Sequence, residues 1–417
     1  MRLLILGHLS HTGFGTVTHE LGERFLSRGI DVRVIAVNYR GEPIRGPLGG
    51  RVWPAAIYGE GFGANITAAA IEGGFWTGLD PADRWKPDVL LVISDMTGLM
   101  SHIGRMSPAW TSLPVFHYCP MEGDNLPPQW RDIWQPFHPV AMSDYGAKVI
   151  GDLLGREIPR IYHGTDTETF HPVSAANPIE YEGKTLRTKE DCRTAFGIAP
   201  DAKVVLRTDR NVIRKFYYRF VEAMGMVADQ VPDLKVIVHC QPRDGADGLD
   251  LFEEMARLPR EKWGIFGLTN AHDTFKGLPV EGLVALMNAA DLYVSTTGGE
   301  GFGLTLAESL ACGVPVVVTD WAADAETVGP GGVLVPPLTD RYGEPVRYHS
   351  TYGMSWALPD PRGFVEPVVR LLNKPHARRA MGEAGRAHVR RTFDWDDATA
   401  QFIDLFASAL TSAEVAA

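Results

Sequence analysis

The sequence predicts an α/β protein with two doubly wound domains. At 417 residues the chain is too long for one ordinary hydrophobic core. A first buried strand, Arg2–Leu6, is followed by a glycine-containing loop, an amphipathic helix over Thr16–Arg28 and a second strand, Asp31–Val37. This order predicts parallel strands joined by a right-handed crossover. A second series of strands and helices follows residue 184 and predicts the second domain.

Later apolar runs complete the two predicted sheets. In the first half the strands are Val89–Ser94, Pro114–Tyr118, Val140–Met142 and Arg160–His163. In the second half, strands Lys203–Thr208 and Leu234–Cys240 alternate with helices Thr188–Phe196, Phe216–Val231 and Glu281–Ala290. The end of the chain is predicted to be mostly helical, with a solvated face of five arginines: Arg378, Arg379, Arg386, Arg390 and Arg391.

We place the domain boundary in Pro172–Lys184, whose prolines and charges predict a linker. Residues 1–172 then form one Rossmann-like domain and residues 173–395 the other, and residues 396–417 are predicted to pack back on the first. The region between Arg40 and Trp85 is rich in Gly, Trp and Phe, which suits a wall around an acceptor. Its role is left open.

The stretch Ser295–Val318 predicts a ligand site. An apolar strand leads into the glycine-rich turn Gly298–Gly303, a helix follows over Leu304–Ala311, and Val316–Val318 is a buried strand. Such a turn offers bare backbone N–H groups and a positive helix end to a phosphate. The carboxylates of Glu300 and Glu308 would repel a phosphate, so we expect them to bind hydroxyl groups. Phosphate and hydroxyls together indicate a nucleotide sugar.

Basic residues follow a neighbouring strand of the same domain. Arg207-Thr208-Asp209-Arg210 lies where the strand ends, and Arg214 and Lys215 open the next helix. Open α/β sheets bind ligands at this edge. Arginine and lysine near a glycine turn would neutralise a pyrophosphate. The alternative, equally open from these residues alone, is that they pair with Asp209 or lie in solvent.

Composition narrows the classes of function. The net charge of −11 argues against nucleic-acid binding, and the basic loop of Arg40, Arg45 and Arg51 is expected to be solvated. Four scattered cysteines without metal-binding spacing fit reduced thiols in a cytoplasmic protein. The apolar start, Met1–Leu6, is too short for a signal peptide or a membrane span.

Two other motifs are set aside. Gly13-Phe14-Gly15 begins a dinucleotide pattern, but Thr18 stands at the third glycine, which argues against a nicotinamide cofactor. Asp394-Trp395-Asp396 spells the Asp-x-Asp of metal-dependent transferases, but it opens a helix, so we interpret Asp394 as an N-cap and predict no metal and no cofactor.

Several motifs resemble one known family. The segment from Gly298 to Val317, GGEGFGLTLAESLACGVPVV, is similar to the Glu-x7-Glu signature of family 4 retaining glycosyltransferases of the GT-B fold, and Arg210 and Lys215 match that family's phosphate-binding pair. His163–Phe170 resembles its interdomain segment. Gly13-Phe14-Gly15 and Phe393-Asp394-Trp395 also match. The resemblance implies two Rossmann-like domains facing a cleft, the first for the acceptor and the second for the nucleotide sugar.

The resemblance also implies roles for individual residues. Glu308 would bind ribose hydroxyls, Glu300 would bind the transferred sugar, and His117 would lie at the reacting sugar. The alternative for His117 is a histidine packed at a strand end. The remaining donor-binding residues implied are Gly13, Gly15, Arg210, Lys215, Gly301, Phe302, Gly303 and Leu304. Thr269–Pro279 is longer than the family's link, which leaves the base open.

The implied reaction transfers a sugar from a UDP- or GDP-type donor to an acceptor hydroxyl, with retention and without a metal. The acceptor (glycan, lipid or small molecule), the sugar, the linkage and the choice between monomer and homodimer stay open, as does peripheral membrane contact. Alternatives are a sugar-nucleotide epimerase or glycosyl phosphorylase of the same fold, or a catalytically silent nucleotide-sugar-binding protein.

Overall fold

The computed structural model describes residues 1–10, 12–39, 41, 44, 46–55, 62–73, 85–103, 108–243, 247–269, 277–351 and 353–416. The chain divides into two compact units. The first contains residues 1–121, 126–164 and 394–417, and the second contains residues 122–125 and 165–393. The divisions fall at Gly164 and Phe393, and residues 122–125 of the first half join the second unit.

The first unit is a parallel sheet with helices between its strands. Its elements are β1 (Arg2–His8), α1 (Gly13–Ser27), β2 (Asp31–Val37), β3 (Val52–Pro54), α2 (Ala64–Ile71), β4 (Val89–Ile93), α3 (Met96–Ile103), β5 (Val115–Cys119), α4 (Trp130–Trp134), β6 (His138–Ala141), α5 (Asp144–Leu154) and α14 (Trp395–Ala416). The six strands lie in the order β3-β2-β1-β4-β5-β6. All five residues of β4 and of β5 are buried, as expected of central parallel strands.

The C-terminal helix α14 packs within this first unit. Its Phe402 and Phe406 rings lie against Phe25 of α1, and Phe406 also contacts Phe116 of β5, with ring centroids 4.9–6.3 Å apart. The Asp394 carboxylate accepts hydrogen bonds from the Asp396 and Asp397 amides at 2.6 and 3.1 Å. The predicted N-cap role of Asp394 is therefore confirmed.

The second unit repeats the parallel α/β arrangement. Its elements are β7 (Ile179–Tyr181), β8 (Lys184–Leu186), α6 (Lys189–Ala195), β9 (Lys203–Arg207), α7 (Tyr217–Ala228), β10 (Leu234–Val238), α8 (Leu251–Ala256), β11 (Phe266–Leu268), α9 (Val280–Ala289), β12 (Leu292–Ser295), α10 (Leu304–Ala311), β13 (Val316–Thr319), α11 (Asp324–Val328), β14 (Gly332–Val335), β15 (Arg347–His349), β16 (Ser355–Ala357), α12 (Val365–Asn373) and α13 (Pro375–Thr392). The main sheet has the order β11-β10-β9-β12-β13-β14.

Two parallel six-stranded sheets confirm the predicted α/β class with two Rossmann-like domains. One predicted strand was wrong, and two hairpins were not predicted. The antiparallel hairpin β7–β8 begins within the predicted linker, and its Ile179 and Tyr181 are buried. Arg160–His163 is not a strand, although Arg160 forms a single bridge with Ala141. The hairpin β15–β16 was not predicted because its residues carry no clear apolar alternation.

The five C-terminal arginines do not share one solvated face. Arg379, Arg390 and Arg391 are exposed. Arg378 instead pairs with the buried carboxylate of Asp291 at 3.0 Å, and Arg386 donates hydrogen bonds to the carbonyls of Phe170 and Ala311. These two side chains join α13 to the rest of the second unit.

Asp291 offers a test of this packing. It also pairs with Arg193 at 2.8 Å and Lys189 at 2.7 Å, and it accepts the Val204 amide. Because Asp291→Ala leaves the buried Arg193 charge uncompensated, we expect the free energy of unfolding to fall by about 3–5 kcal/mol in urea denaturation. The control Glu366→Ala, which breaks an exposed pair with Arg370, should cost at most about 0.5 kcal/mol. Equal losses in the two variants would contradict this assignment.

Candidate functional site

The candidate site lies at the carboxyl edge of the second sheet. Strands β9, β12 and β13 are neighbours there, and each is followed by a loop, residues 208–216, 296–303 and 320–323. Carboxyl ends of parallel strands are where open α/β sheets bind ligands. The loops bring together residues far apart in the chain.

Lys215 is the centre of the site. Its side chain is almost fully buried, and its ammonium donates to Asp209 at 2.8 Å and to Glu300 at 2.5 Å. Asp209 also accepts from Arg207 at 3.0 Å and from Ser295 at 2.7 Å. Burial alone would raise the pKa of Asp209, but the charges of Lys215 and Arg207 outweigh it and lower that pKa. Lys215 thus pairs with Asp209, as the alternative expects, and its predicted role in binding a pyrophosphate stays a prediction.

Arg207 connects the segments that carry Asp209, Lys215 and Glu300. Its fully buried guanidinium stacks 4.0 Å from the Tyr217 ring centroid. It donates to the hydroxyl of Thr296 at 2.9 Å and to the carbonyl of Lys215 at 2.5 Å. Arg207 thereby joins the loop that carries Lys215 to the loop that carries Glu300.

Glu300 is held between two cations. Its second oxygen lies 3.0 Å from Arg214, which also reaches Glu122 at 3.3 Å and donates to the carbonyl of Gly299. Burial favours the neutral acid, yet Arg214 and Lys215 together lower the pKa of Glu300. The carboxylate is therefore ionised at neutral pH. It can accept hydrogen bonds from hydroxyl groups but is a weak base.

The structure separates the two arginines of this loop. Arg214 is largely buried against Glu300, whereas the side chain of Arg210 is exposed. The sequence places Arg214 at the start of a helix but does not predict that it binds Glu300. Its sequence position beside Lys215 was the available signal. Glu122 was missed, because nothing near it in the chain indicates that it reaches Arg214.

The glycine turn is shaped by close backbone contacts. Gly299 has φ 136°, and a Cβ there would lie 2.2 Å from the carbonyl oxygen of Glu122. Gly303 has φ 92° and precedes α10 without a side-chain cap. Only glycine fits such positions without strain. The first N–H groups of α10 are thus not capped by a side chain at Gly303, as expected of an anion-binding helix end.

Glu308 lies one turn into α10, as predicted. Its side chain is partly buried, and burial raises the pKa of this carboxyl to about 8. The turn also contains Gly301 and Phe302, and Leu304 is the first residue of α10. The Phe302 carbonyl accepts a hydrogen bond from Thr327. The roles predicted for these residues in donor binding stay predictions.

Gly13 and Gly15 begin helix α1 in the first unit. A Cβ at Gly15 would lie 1.8 Å from the carbonyl oxygen of Ser10, and the Gly15 amide donates to the Thr12 side chain at 3.2 Å. Close packing alone therefore explains Gly15. Ligand contact by either glycine stays a prediction.

His117 is completely buried in the middle of β5. The Trp134 indole N–H donates to Nδ1 at 3.0 Å, so Nε2 carries the proton and donates to the carbonyl of Ser94 at 3.0 Å. Burial lowers the pKa of His117 to about 4, which keeps the ring neutral. Both nitrogens are bonded internally, and a ligand contact would require one of these bonds to break. The predicted role at the reacting sugar stays a prediction.

Some predictions concern residues that lie outside the described part of the chain. These are Arg40, Arg45, residues 56–61 and 74–84 of the region between Arg40 and Trp85, and residues 270–276 of the long link. Within the described ranges, no group of three or more His, Cys, Asp or Glu side chains could hold a metal ion. Within those same ranges, no helix is both long enough and apolar enough to span a membrane.

Comparison with known proteins identifies a family for part of the chain. Residues 209–344 match the family described as glycosyl transferases group 1. The chain is 28% identical over 255 residues to a D-inositol 3-phosphate glycosyltransferase of Corynebacterium urealyticum, covering 60% of this chain and 51% of that protein. It is 27% identical to a GDP-mannose-dependent monoacylated alpha-(1-6)-phosphatidylinositol monomannoside mannosyltransferase of Corynebacterium glutamicum, over 54% of this chain and 52% of that one. The chain thus spans about half the length of these curated relatives.

Solved structures share the whole fold. Sucrose-phosphate synthase from Thermosynechococcus elongatus superposes with a TM-score of 0.69 at 18% identity, covering 99% of both chains. Anabaena Alr3699/HepE in complex with UDP-glucose gives a TM-score of 0.65 at 15% identity, covering 98% of this chain and 100% of the other. Residues 209–344 therefore form a glycosyl transferases group 1 domain, and the whole chain has the two-domain fold of these glycosyltransferase structures, as its motifs predict.

Proposed function

We propose that the protein transfers a sugar from a nucleoside-diphosphate sugar to an acceptor hydroxyl, with retention of the anomeric configuration and without a metal. The observation that carries this proposal is the buried Asp209–Lys215–Glu300 chain beside the glycine turn. At one edge of the sheet it brings together the cation of Lys215, the ionised carboxylate of Glu300, which would accept hydrogen bonds from hydroxyl groups, and the uncapped amides at the start of α10. These are the groups that a diphosphate and a sugar require together.

Each part of the donor has a candidate partner. The diphosphate would bind at Lys215, Arg210 and the amides of residues 301–304, the ribose at Glu308, and the sugar at Glu300. The relatives support either nucleotide, because one structure contains UDP-glucose and one relative is named as GDP-mannose-dependent. We keep UDP and GDP as the two candidates. The acceptor and a cytoplasmic location also stay proposals.

The charges favour a particular mechanism. As the glycosidic bond breaks, negative charge grows on the departing diphosphate, and Lys215 with the helix amides would stabilise it. Glu300 is already engaged by Arg214 and Lys215, so it is poorly suited to act as a nucleophile. We therefore propose a front-face reaction in which the leaving phosphate helps to deprotonate the acceptor. We propose that no metal is needed, because Arg210, Lys215 and the amides at the start of α10 would together stabilise the departing diphosphate.

Donor turnover tests the proposal. We expect slow hydrolysis of UDP-glucose or GDP-mannose without an acceptor, with the initial product anomer matching the donor by proton NMR. Addition of EDTA should leave the rate unchanged. Conversion of the sugar without its release would indicate an epimerase. Release that depends on inorganic phosphate would indicate a phosphorylase, and tight donor binding without turnover would indicate a silent binding protein.

Arg210 provides a clean variant because its side chain is exposed. Arg210→Ala should leave the melting temperature within about 2 °C of wild type. It should lower the donor hydrolysis rate by about 10²-fold, since removal of one charge-stabilising donor costs about 3 kcal/mol. The matched control is Arg260→Ala, at an exposed arginine of the same unit, and its rate should not change. A normal rate for Arg210→Ala would remove Arg210 from the site.

Glu308 predicts a pH dependence of nucleotide binding. Its raised pKa means that the carboxyl is largely protonated at pH 7. Binding two ribose hydroxyls favours the ionised form, so nucleotide affinity should rise between pH 7 and 9 as the proton is released. Isothermal titration of UDP and GDP should show this rise in the wild type and a flat profile in Glu308→Gln. The same rise in both proteins would show that Glu308 does not bind the ribose.

A further inference from the structure

Three residues at the end of β13 and just after it contain buried polar atoms without partners among the described residues. The Thr319 hydroxyl, the Trp321 indole N–H and both carboxylate oxygens of Asp324 have no hydrogen-bond partner among the described residues. Asp324 is 0% exposed. Buried polar groups in native proteins are nearly always bonded, so several such atoms in six residues require an explanation.

This segment is fixed against the glycine turn of the site. The Ala323 amide donates to the carbonyl of Glu300 at 3.1 Å, and the Thr327 hydroxyl donates to the carbonyl of Phe302. Ala322 forms a parallel bridge with Glu300 and has φ 53°, which is uncommon for a residue with a side chain. The backbone on both sides of Asp324 is therefore attached to the turn that carries the proposed sugar-binding carboxylate.

The surrounding charges determine the form of Asp324. Three cations, Arg207, Arg214 and Lys215, form ion pairs of 2.5–3.3 Å with three carboxylates, Asp209, Glu300 and Glu122. Asp324 is a fourth carboxyl group with no cation left to pair it within this cluster. Burial, and then the negative charge of Glu300, raise the pKa of Asp324 well above its ordinary value. A neutral carboxyl group offers one O–H donor and one carbonyl acceptor.

We propose that Asp324 and the Trp321 indole N–H recognise hydroxyl groups of the transferred sugar, and that the site selects an uncharged sugar over a uronic acid. The proposal rests on the proposed glycosyl transfer. A sugar hydroxyl supplies the partners that these atoms lack. A sugar carboxylate would instead meet the carboxylates of Glu300 and Glu122, whose cations are already paired, and the neutral carboxyl group of Asp324.

The test compares nucleotide and nucleotide sugar by isothermal titration. The measured quantity is the ratio of the dissociation constants of UDP and UDP-glucose. Asp324→Leu should lower the relative affinity for UDP-glucose at least tenfold and change the UDP affinity less than twofold. Asp324→Asn, which keeps one donor and one acceptor, should stay within threefold of wild type. The control Asp320→Asn, at an exposed position of the same segment, should not change the ratio.

A second comparison uses the wild type alone. UDP-glucuronate should bind at least tenfold more weakly than UDP-glucose, and equal binding overturns the proposal even if Asp324→Leu does not fold. If only GDP binds, GDP-mannose and GDP-mannuronate replace the UDP compounds. An unchanged ratio in Asp324→Leu with normal nucleotide binding overturns this inference alone. Failure of both UDP and GDP to bind the wild type overturns the proposed function as well.

Stability provides an independent readout of the neutral carboxyl. The unfolded chain releases the Asp324 proton above about pH 4, whereas the folded chain retains it, so wild-type stability falls as the pH rises. Asparagine has no such proton. Asp324→Asn should therefore melt at a higher temperature than wild type at pH 8, and the difference should vanish near pH 4. A difference that does not depend on pH would mean that Asp324 is ionised and would overturn the proposal.

Discussion

The pairing of Lys215 with Asp209 and Glu300 is the constraint on which the site depends. Burying an ammonium group costs free energy unless carboxylates compensate its charge. Here one carboxylate, Asp209, lies in the loop after β9, and the other, Glu300, lies in the loop after β12. Arg207 adds the bond that ties the two loops together. The glycine turn is thus fixed by charge as well as by backbone shape. Loss of one member would leave the others as uncompensated buried charges.

This constraint also orders the chemistry of the site. Glu300 is ionised because two cations lower its pKa, while Asp324 is neutral because burial and the negative charge of Glu300 raise its pKa. Glu308, outside the ion cluster, has a pKa raised by burial alone. Three carboxyl groups near one turn therefore differ in charge and in hydrogen-bonding capacity. Such differences would let one small site distinguish the phosphate, ribose and sugar of the donor that we propose.

Features with a local sequence signal could be predicted, and features set by distant contacts could not. The alternating strands and the glycine turn are encoded in short stretches, and Glu300 and Lys215 are together as expected. The bonds of His117 depend on Ser94 and Trp134, which no nearby pattern reveals. The exposure of a side chain is also a property of the folded chain. Arg214 is largely buried against Glu300, whereas the side chain of Arg210 is exposed. Likewise, the bond between Arg378 and Asp291 contradicts a purely local expectation.

A crystal structure with a bound nucleoside diphosphate would test the central claim most directly. We expect the diphosphate to contact Lys215 and the amides of residues 301–304, and the ribose to lie at Glu308. In that complex Glu300 would remain paired with Arg214 and face the sugar position. A nucleotide bound away from the carboxyl edge of the second sheet, with the Asp209–Lys215–Glu300 chain untouched, would contradict the account.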